Sequence, residues 1–201
     1  MSLQSSIHPS DFASDGNLMA KIFQKLLGEA CFIEIVQVQS IEGKTCTIKP
    51  LLAKRDPSGA KIPTTAVSGI PFFRLQMGTS AIKMPPKQGD IGLLLCCDRD
   101  ITNILATKAE SVVASGFTHS KKDGIYLGGI ELLNAEPTEY IEFTGSGINV
   151  VSPGNVTING VTIQPDGTMI SKDGIIFDTH IHSQGADSSG DTEQDTGTMH
   201  N

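Results

Sequence analysis

Apolar and polar positions follow three successive patterns along this chain. Between Asn17 and Gly28, Leu18, Met19, Ile22, Phe23, Leu26 and Leu27 recur at helical spacing, with Lys21 and Lys25 on the opposite side. Ser14 or Asp15 can cap the start of such a helix, and Gly28 is a natural stop. The pattern predicts a short amphipathic helix in an N-terminal arm of residues 1–28. Its apolar face has two uses open to it, packing on its own domain or docking on a neighbouring subunit.

From residue 29 to about 118 the period changes to two. In CFIEIVQVQ, Phe32, Glu34, Val36 and Val38 share one face, while Ile33, Ile35 and Gln37 take the other. TCTIKPLLA follows, then a polar turn at KRDPSGAK, then AVSGIPFFRL. The segment Lys87-Gln88-Gly89-Asp90 makes a tight polar turn into the most apolar run, IGLLLCCD. About five short strands in roughly 90 residues suit a small barrel of the OB type.

Residues 119–201 change character again. GIYLGG, YIEFTGSG, INVVSPG, NVTING, VTIQPDG, TMISKDG and IIFDTHIH are very short strands separated by Gly, Pro-Gly, Asn-Gly and Asp-Gly turns. Each offers two or three inward apolar side chains, such as Ile148 and Val150, Val156 and Ile158, or Val161 and Ile163. One chain has nothing to cover such a face, although a β-sandwich lobe or a single-chain solenoid remains an alternative. Chains wound around a shared three-fold axis would each fill one third of every layer, leaving Glu139, Glu142, Asp166 and Asp173 outward. The expected fold class is therefore all-β: a short N-terminal helix, an OB-like barrel at 29–118, a trimeric intertwined β-helix (β-prism) at 119–170, and an apex at 171–201.

Composition narrows the partners. Gly is frequent, at 21 residues, while aromatics are few, with no Trp and two Tyr. The net charge of -7 is uneven: residues 1–120 carry 12 Lys+Arg against 10 Asp+Glu, and residues 121–201 carry 3 against 12. With no basic stripe and few stacking platforms, nucleic acid is not an expected partner. Cys31, Cys46, Cys96 and Cys97 show no CxxC spacing. Adjacent strand residues face opposite ways, so Cys96 and Cys97 read as small core fillers suited to assembly in a reducing cytoplasm. The first residues lack a basic start and an apolar stretch, so no signal peptide is expected. No run approaches the ~20 apolar residues of a membrane helix.

The chemistry concentrates in His180-Ile181-His182. In an extended strand Asp178, His180 and His182 share a face, with the imidazoles about 7 Å apart. Two imidazoles are a poor metal site, but three such pairs on a common axis present six nitrogens. D-x-H-x-H also resembles the metal signature of amidohydrolases. Such a barrel needs roughly 250 residues, nearly all after that strand, whereas Ser183 to Asn201 are mostly Gly, Ser, Asp and Thr. No catalytic residue is expected, and a small metal-dependent hydrolase is the weaker alternative. Ordinary surface histidines are the plain structural one.

Taken together, the OB-like segment, the PPKQGD turn before IGLLLCCDRDI, the Gly-punctuated prism and the FDTHIHSQG apex followed by DTGTMHN resemble one family. It is the central spike group of contractile phage tails, comprising baseplate assembly protein V and the membrane-puncturing spikes. The likeness covers about residues 30–201. It implies a homotrimer beneath the tail tube, joined to tube and baseplate hub proteins and aimed at the host outer membrane. It implies assembly in the host cytoplasm and residence in the virion baseplate. In that family paired histidines of three chains hold one iron at the tip, which makes His180 and His182 the ligands, with Asp178 or Thr179 as a supporting partner. Six neutral imidazoles suit octahedral Fe(II) better than zinc, and acid should release the metal, because only neutral imidazole binds. Two features depart from the family pattern: the ending Met-His-Asn, which leaves His200 as a bystander or minor extra ligand, and the longer acidic insertion SQGADSSGDTEQ. A type VI secretion-like spike tip would share this fold.

Overall fold

A computed structural model of the chain describes residues 14–183, 185–186, 188–190 and 195–197. The first part of the arm and His200 lie outside the described residues. The chain divides into two compact units, Met1–Ala135 and Glu136–Asn201.

The first unit opens with helix α1 (Asp15–Glu29). The Ser14 hydroxyl accepts from the Asn17 N–H at 3.2 Å, as an N-cap should. Gly28 is not the stop: the helix runs one residue past it and ends at Ala30, whose extended backbone still donates to Leu26 O. No residue of α1 is buried, so its apolar face is not packed on its own domain.

Nine strands follow: β1 (Ile33–Glu42), β2 (Thr45–Pro50), β3 (Lys54–Arg55), β4 (Lys61–Ile62), β5 (Val67–Pro71), β6 (Leu75–Met77), β7 (Ser80–Ile82), β8 (Ile91–Cys96) and β9 (Gly124–Leu127). Five make a mostly antiparallel sheet in the order β5-β2-β1-β8-β9; β3-β4 and β6-β7 are separate two-stranded ribbons. The sheet curls into a half-barrel, and its outer strands meet where Phe72 bridges Tyr126. Gly124–Leu127 pairs with β8, so this sheet extends beyond residue 118 and the first unit beyond it to Ala135.

The core follows the alternation. Val36 and Val38 of β1 are buried together with Cys46, Ile48, Ile70, Leu94 and Tyr126. Each fully buried Val, Ile or Leu contributes about 1.5–3 kcal/mol. Glu34 lies on the same face as Val36, and Lys121 Nζ meets its carboxylate at 2.5 and 2.7 Å. Gly92 is required by close packing: a Cβ there would lie 2.5 Å from Leu127 O and 2.8 Å from the Tyr126 hydroxyl. The predicted Lys87–Asp90 turn is present. The Lys87 N–H donates to Asp90 Oδ2 at 2.7 Å, and Gly89 (φ +97°) donates to Val38 O at 2.9 Å.

Cys96 is not a free core thiol. It forms a disulfide with Cys31, bridging a sequence separation of 65, while Cys46 and Cys97 remain thiols. The pairing crosses between β8 and a residue two positions ahead of β1, which spacing along one strand cannot reveal. A second helix, α2 (Thr102–Thr107), was not anticipated; Asp100 Oδ1 accepts from the Thr102 N–H at 2.9 Å ahead of it.

The second unit contains β10 (Tyr140–Phe143), β11 (Ile148–Val151), β12 (Val156–Ile158), β13 (Val161–Ile163) and β14 (Met169–Ile170). They pair within the chain as an antiparallel hairpin, β10-β11, and a three-stranded meander, β12-β13-β14. Asn159 and Gly160 both have positive φ (48° and 91°), the two-residue turn that suits a twisted hairpin. In register, Ile141 opposes Val150 and Phe143 opposes Ile148; Val156 opposes Ile163 and Ile158 opposes Val161. Each piece therefore has one apolar face. No described residue of this unit is buried: the β10-β11 face lies open, with Phe143, Ile148 and Val150 77, 61 and 56% exposed, and the meander's face is half-covered at Val156, Val161 and Ile163.

Candidate metal centre

The apex grows out of β14. Ile176 bridges Ile170, the Phe177 N–H donates to Met169 O at 3.0 Å, and the Ser171 N–H donates to Ile175 O at 2.8 Å. Gly174 (φ +83°) forms the tip of that turn. The chain then leaves extended geometry. Residues 177–179 form a turn closed by the His180 N–H donating to Ile176 O at 3.1 Å. The expected strand with Asp178, His180 and His182 on one face is thus interrupted just ahead of the first histidine.

The two imidazoles nevertheless come together. His180 and His182 have ring centroids 5.0 Å apart, edge to face at 85°. Phe177 O lies 2.7 Å from His180 Nδ1. A carbonyl can only accept, so Nδ1 carries a proton, and in the neutral ring Nε2 would then be the nitrogen open to a ligand. Metal-binding histidines are commonly held by such a carbonyl. In the single chain no described hydrogen bond joins Asp178 or Thr179 to either ring. The second histidine is fixed through its backbone. Its N–H donates to Thr196 Oγ1 at 2.8 Å, and its carbonyl accepts from the Thr196 N–H at 3.0 Å. Neither Phe177 O nor Thr196 was legible beforehand, since a carbonyl has no side-chain signature and Thr196 lies fourteen residues away.

Among the described residues no three His, Cys, Asp or Glu side chains gather in a metal-binding group. The described donor set is two imidazoles beside exposed apolar residues, Ile175, Ile176, Phe177 and Ile181. Two imidazoles alone are too few for a metal site, so further donors would be needed to complete one. No family model matches this chain, and no curated protein matches it significantly.

Proposed function

We propose that this protein is a homotrimeric, non-enzymatic spike of the contractile phage-tail type, driven through the host outer membrane when the sheath contracts. The observation that supports this most is the second unit's lack of a core. Glu136–Asn201 has regular, one-sided apolar faces and no buried described residue. A chain in that state gains stability by joining copies of itself around an axis, where each apolar face becomes part of a shared core. The half-barrel sheet, read more finely as an OB domain, would join the needle to tube and baseplate proteins.

The physical task is stiffness at a point. Short hairpins satisfy much of their own backbone pairing, and side chains from three copies would fill the axis. At the apex the apolar faces end, and fraying is easiest there. His180 and His182 from three chains would hold one ferrous ion, which would cross-link the chains at their narrowest layer. The Phe177 carbonyl and Thr196 would keep the imidazoles oriented for it. Acid would open the site, because protonated imidazole does not bind metal.

Solution mass tests the reading. Sedimentation velocity on the full chain should give one species of three chains; a stable single-chain species at micromolar concentration would refute it.

A further inference from the structure

The β6–β7 ribbon has two unlike faces. In its register Leu75 opposes Ile82, Met77 opposes Ser80 and Gln76 opposes Ala81. Continuing that ladder outward by alternation puts Phe73 and Met84 on the side of Leu75, Met77 and Ile82. Arg74 and Lys83 fall opposite one another on the other side. The apolar side lies open: Phe73, Leu75, Met77, Ile82 and Met84 are 50–83% exposed. A lone two-stranded ribbon is marginal in water, and a like-charged cross-strand pair on its back weakens it further.

Helix α1 has the complementary deficiency. Its six apolar side chains, Leu18 to Leu27, are 37–67% exposed, and an isolated helix of this length is marginal too. The stripe they form is about 180° wide, too broad for a coiled-coil seam and suited to lying on a surface. The helix is held near its own sheet at its C-terminal end. Lys54 Nζ reaches Gly28 O at 3.4 Å, and two residues past Glu29 the chain is pinned by the Cys31–Cys96 disulfide.

We propose that α1 of one copy lies on the apolar face of the β6–β7 ribbon of a second copy. This rests on the multi-chain reading above and adds to it a contact outside the needle. The dimensions agree. From Leu18 to Leu27 the helix rises about 14 Å, and from Phe73 to Met77 a strand runs about 14 Å. Two strands side by side offer roughly the width of one helix. Seated this way, Lys21 and Lys25 on one element and Arg74 and Lys83 on the other all point away from the contact. Within the chain α1 has no buried residue, so its apolar stripe is not seated on its own ribbon. In a closed ring each copy gives one helix and receives one, so both exposed faces are covered with none left over. The contacting side chains would bury on the order of several hundred Å² at each junction, less than the ~1,000 Å² of a self-sufficient interface, so this contact would add to the needle's shared core rather than hold the copies together alone.

The test places a photoreactive benzoylphenylalanine at Phe23, an exposed position, in the full chain. Copies with ordinary and heavy nitrogen are mixed before refolding and irradiated. Peptides joining residue 23 of one isotope to residues 73–84 of the other are the expected result. Cross-links within one isotope only, cross-links elsewhere, or none at all would overturn the proposal. Sedimentation of the same sample separates the two readings: a trimer without the mixed cross-link removes this contact and leaves the spike standing, whereas a monomer removes both.

Discussion

The two units use similar raw materials in opposite ways. In Met1–Ala135 the alternation of β1, β2 and β8 converges on one face, and Val36, Val38, Ile48, Ile70 and Leu94 are fully buried. In Glu136–Asn201 the alternation is as regular, yet none of its described apolar side chains is fully buried, and those of the β10-β11 hairpin stay in solvent. The difference is strand length and layering. Ten- and six-residue strands curl and close on themselves, whereas three- and four-residue strands make ribbons with no second layer. The first sheet completes a core of its own, and the row of ribbons does not.

The strongest way to break this contrast is Ile148→Ala. In a lone chain this exposed side chain should cost no more than about 0.5 kcal/mol. In a trimer it should cost about 2–4 kcal/mol per chain, felt three times over, and shift the urea midpoint with a clear dependence on protein concentration. A midpoint unchanged from the parent would remove the reason for a shared core.

Next in size is the Cys31–Cys96 bond. Closing a loop of this separation is worth about 4 kcal/mol in the chain-entropy picture. Reduction, or Cys31→Ser, should lower the unfolding free energy of the first unit by roughly 2–4 kcal/mol. The second unit has no disulfide among its described residues and should be indifferent, which separate fluorescence probes in the two units would resolve.

Glycine sharpens the contrast further. Gly92→Ala forces a Cβ against Leu127 O and Tyr126 and should cost about 1–3 kcal/mol in thermal melts. Gly147→Ala meets nothing within 4 Å in one chain, so a large loss there would reveal a neighbour that the single chain does not contain.

The smallest effect is acid-linked. The Thr102 and Ser115 hydrogen bonds hold the Asp100 carboxyl down at about 2. A depressed folded value contributes stability that is present above the unfolded carboxylate range and lost as pH falls toward 2. The first unit's melting temperature should therefore decline between about pH 4 and pH 2, and Asp100→Asn should flatten that decline.

Much of this was legible in the residues, and the failures have physical causes. Period-two alternation puts Val36 and Val38 together on one face of the strand, and burial shows that face to be the core side. The helix was read from its stripe, but Gly28 was taken for its end because glycine is a frequent helix terminator, whereas here it takes helical geometry. Cys96 was read as a thiol because its partner lies 65 residues away across two strands. GIYLGG was grouped with the prism because short Gly-flanked strands look alike; only pairing with β8 places it in the sheet. At the apex, His-x-His announced two nearby imidazoles. It did not announce the turn at residues 177–179 just ahead of them, since that turn has no proline or glycine to mark it.

The most direct test is metal content by mass spectrometry, with chain concentration measured on the same sample. One iron per three chains, abolished by His180→Ala with His182→Ala, is the predicted result. One metal per chain, or a trimer that purifies without metal and takes up none when ferrous iron is supplied, would contradict the shared axial site.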